Sequence, residues 1–127
     1  MAEDVKKKVM VVDDDPSLGE MYRKIFSDEG YDVTWVQDGE KALATILEVK
    51  PDLLLLDIMM PKIQGLDVLD IIKATPSTDQ TKIIVLTALS DDDVMEKARK
   101  FGAVDVIVKS QVEMEQVVAK VKAALGD

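Results

Sequence analysis

Leu53-Leu54-Leu55-Leu56-Asp57-Ile58-Met59-Met60-Pro61 is the stretch on which the fold turns. Leucines in an unbroken run have no polar side to offer water, so all four belong inside a core. A short apolar run bounded by breakers, here Pro61 and then Gly65, reads as a strand covered on both faces rather than as a helix. Asp57 then sits at the carboxyl end of a central strand. In open α/β sheets that edge is where ligands bind.

Composition narrows the chemistry before any motif is considered. The 127 residues are enough for one domain, 1–127, with residues 1 to about 7 as a lead-in. Net charge is −9, and no basic run exceeds Lys6-Lys7-Lys8, which argues against direct binding to nucleic acid. No apolar run approaches the roughly 20 residues that span a bilayer. Val9-Met10-Val11-Val12 is too short for a signal-peptide core, so no membrane insertion and a cytoplasmic location are expected. There is no cysteine and no histidine. Thiol nucleophiles, imidazole bases, thiolate or imidazole zinc sites and phosphohistidine relays within the chain are thereby excluded. Carboxylates, hydroxyls, lysine, backbone and a hard metal remain.

Short apolar runs alternate with helical patterns along the whole chain. Val9 to Val12 forms the first strand, followed by a helix with Asp15 as N-cap and Pro16 at its first position. Leu18, Met21, Tyr22, Ile25 and Phe26 make the apolar stripe of that helix, and Gly30 ends it. Tyr31 to Val36 alternates apolar and polar residues, as an edge strand would. Asp38-Gly39 opens a second helix with Ala42, Leu43, Ile46 and Leu47 on its inner side. The leucine strand leads to a third helix carrying Leu66, Leu69, Ile72 and Lys73. Ile83 to Leu86 is the fourth strand, and Ser90 with Asp93 reads as a capping box for the fourth helix, whose stripe is Val94, Ala98 and Phe101. Val104 to Val108 is the fifth strand, and the last helix turns Met114, Val117, Val118, Val121 and Leu125 inward.

Strict strand–helix alternation implies a parallel sheet with helices on both faces. The wholly apolar strands are the first, third and fourth, which places the other two at the edges. The order 2-1-3-4-5 meets that condition, giving a three-layer, doubly wound α/β domain of the flavodoxin-like type.

Parallel strands share one carboxyl edge, so the residues that leave each apolar run line up there: Asp13 and Asp14, Asp57, Thr87 and Lys109. Neighbouring strands are about 4.8 Å apart, close enough for Asp14 and Asp57 to share one small cation, with Asp13 in reach directly or through water. Crowded carboxylates repel one another unless a cation neutralises them. An oxygen-only group with room for water suits Mg²⁺. Thr87 can donate a hydroxyl and Lys109 a positive charge to a phosphoryl group on Asp57. Asp15 is accounted for by helix capping, and Asp91, Asp92 and Asp93 by the solvated first turn of a helix. Trp35, on the second strand, is expected to lie away from the site.

Val11-Val12-Asp13-Asp14-Asp15-Pro16, Leu56-Asp57-Ile58-Met59-Met60-Pro61 with Gly65, Val85-Leu86-Thr87-Ala88 and Val106-Ile107-Val108-Lys109 resemble the receiver domain of two-component response regulators. The resemblance runs through essentially the whole chain, in order. It implies that Asp57 accepts a phosphoryl group from a sensor histidine kinase or a phosphotransfer protein. It implies Mg²⁺ held by Asp14, Asp57 and the Met59 backbone carbonyl, with Asp13 in the outer shell and with Thr87 and Lys109 on the phosphoryl oxygens. It further implies a downstream protein target at the surface of the fourth helix, fifth strand and fifth helix, and leaves a phosphorylation-dependent homodimer open. The family usually has proline after the lysine, an aromatic at the switch position of the fifth strand and Asp before the loop glycine. Here those positions are Ser110, Val106 and Gln64. A non-proline cis bond costs about 2.5–4 kcal/mol, which leaves the isomer of the Lys109-Ser110 bond, and with it the aim of Lys109, open.

The reading that follows is a Mg²⁺-dependent phosphorylation switch that acts catalytically only on its own aspartate. Met59 and Leu89, apolar and two residues beyond Asp57 and Thr87, cannot orient an attacking water, so a long-lived phosphoaspartate is expected. A phosphatase acting on free substrates would need a second acid where Met59 stands. The alternative of another class is a receiver-fold adaptor or dimerisation module without the switch. A flavin protein is excluded, because Asp13 to Asp15 would repel its phosphate.

Overall fold

The computed structural model describes residues 6–58, 65–88 and 92–127. Met59, Met60, Pro61, Gln64, Leu89, Ser90 and Asp91 lie outside them, and with them the proposed Met59 carbonyl ligand and the Ser90–Asp93 capping box. The elements are β1 (Lys8–Val12), α1 (Pro16–Asp28), β2 (Asp32–Val36), α2 (Gly39–Val49), β3 (Leu53–Asp57), α3 (Gly65–Ala74), β4 (Lys82–Thr87), α4 (Asp92–Lys100), β5 (Asp105–Val108) and α5 (Met114–Leu125). A single 3₁₀ turn, Lys109–Gln111, links β5 to α5.

The sheet is parallel throughout, in the order β2-β1-β3-β4-β5. Every residue of β3 is buried, as its leucine run requires. Alternate residues feed two cores. Met10, Val12, Leu54, Leu56, Ile83, Val85 and Val106 meet α2, α3 and α4 through Ile46, Leu69 and Ala98. Val9, Val11, Leu53, Leu55, Ile84, Leu86 and Ile107 meet α1 and α5 through Phe26, Val117 and Val121. The doubly wound architecture is therefore the observed one, with Val106 on the α4 side.

Local signals in the sequence account for the boundaries of α1 and the start of α2. The Asp15 carboxylate accepts hydrogen bonds from the Ser17 and Leu18 N–H groups at the start of α1, with Pro16 at N1. Asp38 caps α2 in the same way through the Lys41 N–H. Gly30, at φ +95°, makes the left-handed turn out of α1 that an L-residue resists. Lys73 belongs to the inner stripe of α3 because its ammonium reaches the Asp79 and Thr81 carbonyls.

Some expectations need correction. Leu47 is 52% exposed rather than inward, because Ala42 and Ile46 already carry the contact of α2 with the sheet. Leu47 instead borders an outer cleft shared with Ile71 of α3. Strand β5 begins at Asp105, and Val104 is 53% exposed. Its carboxylate lets Asp105 sit at the start of an edge strand, paired with Lys120 of α5 at 3.1 Å. Strand β2 begins at Asp32, while the preceding Tyr31 is buried against Phe26. In α3 the buried positions include Val68 beside Leu69 and Ile72, with Leu66 only half-buried.

Candidate functional site

Register brings the strand exits together. Val12 lies opposite Leu56, Asp57 opposite Leu86, and Thr87 opposite Val108. Asp13, Asp57, Thr87 and Lys109 consequently occupy one edge of the sheet. Asp13 and Thr87 are fully buried and Asp57 is 3% exposed, whereas Asp14 faces solvent. Lys109 extends inward and its Nζ lies 3.0 Å from Asp13 Oδ2 and 3.1 Å from Asp57 Oδ2. The peptide bonds of the described residues are all trans, the one between Lys109 and Ser110 included.

The electrostatics follow from burial. Loss of water pushes the Asp13 carboxyl above its ordinary value, opposed by the Asp15 N–H, which donates to Asp13 Oδ1 at 2.9 Å, and by Lys109. For Lys109, burial disfavours the ammonium, but its hydrogen bond to Asp13 and the charges of Asp57 and Asp13 outweigh this. Lys109 is held above the ordinary lysine value. Lys109 is thus a positive charge set against the Asp13 and Asp57 carboxylates.

Asp13, Asp14 and Asp57 each offer a carboxylate oxygen within 4.8 Å of the others. Every donor is a hard oxygen, and the exposure of Asp14 leaves room for water. That donor set fits Mg²⁺, which keeps part of its hydration shell. The Met59 carbonyl falls outside the described residues. Beside Lys109 an apolar cavity of about 130 Å³ opens between Leu18, Tyr22, Val112 and Met114.

One contact runs against the sequence reading. Trp35 does not stand apart from the site: its indole N–H donates to the Asp13 backbone carbonyl at 3.0 Å. Adjacent to it, the Asp13 N–H donates to the Val36 carbonyl at 3.1 Å. Register of β1 with β2 places Val12 opposite Val36, which carries Trp35 to the level of the acidic loop. The available signal was Gly19, a glycine within the α1 pattern where a side chain would otherwise be expected.

A family model for the response regulator receiver domain matches residues 9–122. The chain belongs to that family. It is 36% identical over 121 residues to the DNA-binding response regulator MtrA of Mycolicibacterium smegmatis, covering 95% of this chain and 51% of MtrA. It is 39% identical over 118 residues to the transcriptional regulatory protein CpxR of Klebsiella pneumoniae, covering 93% and 49% respectively. The chain thus spans about half the length of these curated relatives. Among solved structures, the BeF3-activated receiver domain of Klebsiella pneumoniae RstA superposes with a TM-score of 0.86 at 29% identity, covering 95% of this chain and all of that one. The chemotaxis protein CheY4 of Vibrio cholerae superposes at 0.88 with 25% identity, over 94% and 99% of the two chains. As a receiver domain, the chain is a component of two-component signalling. Among the described residues, no helix is long and apolar enough to cross a membrane.

Proposed function

We propose that this receiver domain is switched by phosphorylation of Asp57. The observation that carries the reading is a nearly buried carboxylate at the end of the central strand, grouped with Asp13 and Asp14 and 3.1 Å from the Lys109 ammonium. An Asp57 oxygen attacks the phosphorus of a phosphohistidine on a sensor kinase or phosphotransfer protein. An O–P bond forms, the N–P bond breaks, and the imidazole leaves with the electron pair. Lys109 and the Thr87 hydroxyl are suited to receive the phosphoryl oxygens, where charge gathers in the transition state. Asp14 and Asp57, with Asp13 beside them, would hold Mg²⁺, which would supply positive charge against the carboxylates and the incoming phosphoryl group.

The product is an acyl phosphate on the protein itself, so the domain acts as a switch rather than as a turnover enzyme. Phosphorylation shifts the balance between two conformations, and the surface of α4, β5 and α5 is where a downstream protein, or a second copy of the chain, reads the change. Thr87 is the natural link, since it leaves β4 beside Val108 of β5. At the switch position Val106 is buried, so an aliphatic side chain replaces an aromatic in the readout. The MtrA and CpxR names describe DNA-binding and transcriptional regulation by those proteins, and a role for this chain in transcriptional control is an extension of that likeness.

The test is intact-mass spectrometry after incubation with acetyl phosphate and MgCl₂. The parent protein gains one phosphoryl group, and Asp57→Asn, or the parent in EDTA, gains none. A parent that stays unmodified while binding Mg²⁺ would point instead to an adaptor that keeps the fold without the switch.

A further inference from the structure

We propose that Trp35 is a positioning residue for the acidic cluster, acting through the backbone carbonyl of Asp13. The proposal rests on the reading of that cluster as a Mg²⁺ site. Its basis is the set of hydrogen bonds around one short loop. The Trp35 indole N–H holds the Asp13 carbonyl oxygen at 3.0 Å, and the Val36 carbonyl accepts the Asp13 N–H at 3.1 Å. On the far side, the Asp13 carboxylate accepts the Asp15 N–H at 2.9 Å.

Planarity makes these contacts bear on Asp14. The Asp13 carbonyl oxygen belongs to the peptide unit that ends at the Asp14 Cα, so a hydrogen bond to that oxygen orients the entire plane. The next peptide plane is held by the bond from the Asp15 N–H. Asp14 is thus gripped at both flanking peptides although its side chain is exposed. An exposed carboxylate on a loose loop loses conformational freedom when it binds an ion. One on a fixed backbone has lost most of it already, and the saving appears as affinity.

The seat of the indole is built for it. Gly19, the fourth residue of α1, lies so close that a Cβ there would fall 2.0 Å from Trp35 Cε2. Glycine within a helix costs about 1 kcal/mol relative to alanine. Room for a flat ring against the helix backbone explains its presence. Indole nitrogen is a donor only, so it must face an acceptor, and the Asp13 carbonyl is that acceptor. Trp35 thereby links α1, the edge strand and the acidic loop, none of which is part of the phosphoryl-binding pair of Thr87 and Lys109.

The experiment is a MgCl₂ titration of the parent and of Trp35→Phe, which keeps an aromatic ring and removes the N–H. Amide resonances of residues 13–15 report binding, and thermal unfolding is measured on the same samples. Mg²⁺ binding weakens on the order of fivefold in the variant, the equivalent of one ordinary hydrogen bond. In the parent, the single indole N–H resonance moves with the same dissociation constant as the loop amides. A variant with a lower melting temperature but unchanged Mg²⁺ affinity overturns the proposal and leaves the phosphorylation reading intact. Should Trp35→Phe fail to fold, the parent's indole resonance decides, and an unmoved resonance overturns it. A parent that binds no Mg²⁺ removes both readings together.

Discussion

Lys109 is the residue on which the site's electrostatics balance. Its ammonium lies within 3.1 Å of two carboxylates that are almost wholly withdrawn from water. Deleting one partner of a buried pair leaves the other charge uncompensated, at a cost of about 3 kcal/mol. Lys109→Met, which keeps the stem and loses the charge, should lower stability by about that much in urea unfolding without metal. Millimolar MgCl₂ should return more stability to the variant than to the parent, because the cation replaces the missing charge. Equal Mg²⁺ effects on the two proteins would show that Lys109 and the ion do not answer the same need. The residue identities at this edge were readable in advance, since each follows an apolar run. Which carboxylates Lys109 touches was not, because Asp13 and Lys109 are 96 positions apart and nothing local joins them.

At the scale of the element, helix α1 matters most, since its first turn grows directly out of the acidic loop. The Asp15 side chain satisfies two otherwise unpaired N–H groups there. Asp15→Ala should therefore cost about 1 kcal/mol, read as a lower urea midpoint with an unchanged slope. The same variant should weaken phosphorylation far less than Asp57→Asn, because Asp15 caps the helix and stays out of the donor group of Asp13, Asp14 and Asp57. A loss of labelling equal to that of Asp57→Asn would place Asp15 in the chemistry. The cap was legible because an Asp before Pro16 has a local meaning. Leu47 was not, since a helix stripe shows which side is apolar but not how far a neighbouring helix extends over it.

Across the whole molecule, residues far apart in the chain meet around Asp127. The Tyr31 hydroxyl donates to Asp127 Oδ2 at 2.6 Å, Lys7 reaches Asp127 Oδ1 and the Leu125 carbonyl, each at 2.7 Å, and Lys122 pairs with Glu29. These contacts tie the end of α5 to the start of β2 and the end of α1. Burial, and then the hydrogen bond to Asp127, push the Tyr31 phenol above its ordinary value. The unfolded chain loses this proton near pH about 10, while the folded chain keeps it. Stability should accordingly fall as pH rises above about 10, towards the folded pKa. Lys109, raised as well, adds to the fall in the same direction. Tyr31→Phe should lose about 1 kcal/mol at neutral pH and show a shallower alkaline decline, measured by urea midpoints from neutral to alkaline pH. A decline as steep as the parent's would assign the effect to other groups.

The sequence by itself determined the layers, the strand order and the residues at the carboxyl edge. Hydrophobic burial is a local property of each segment, and the apolar runs of β1, β3 and β4 leave only the middle of a sheet for those strands. The starts of α1 and α2 were legible for the same reason, because a cap acts on its own next residues. Tertiary structure alone decided that Lys109 bridges Asp13 and Asp57, that Trp35 holds the Asp13 carbonyl, and that Asp127 closes on Tyr31. Those contacts join side chains from separate elements, and their partners are chosen by register and helix placement, which no single segment encodes.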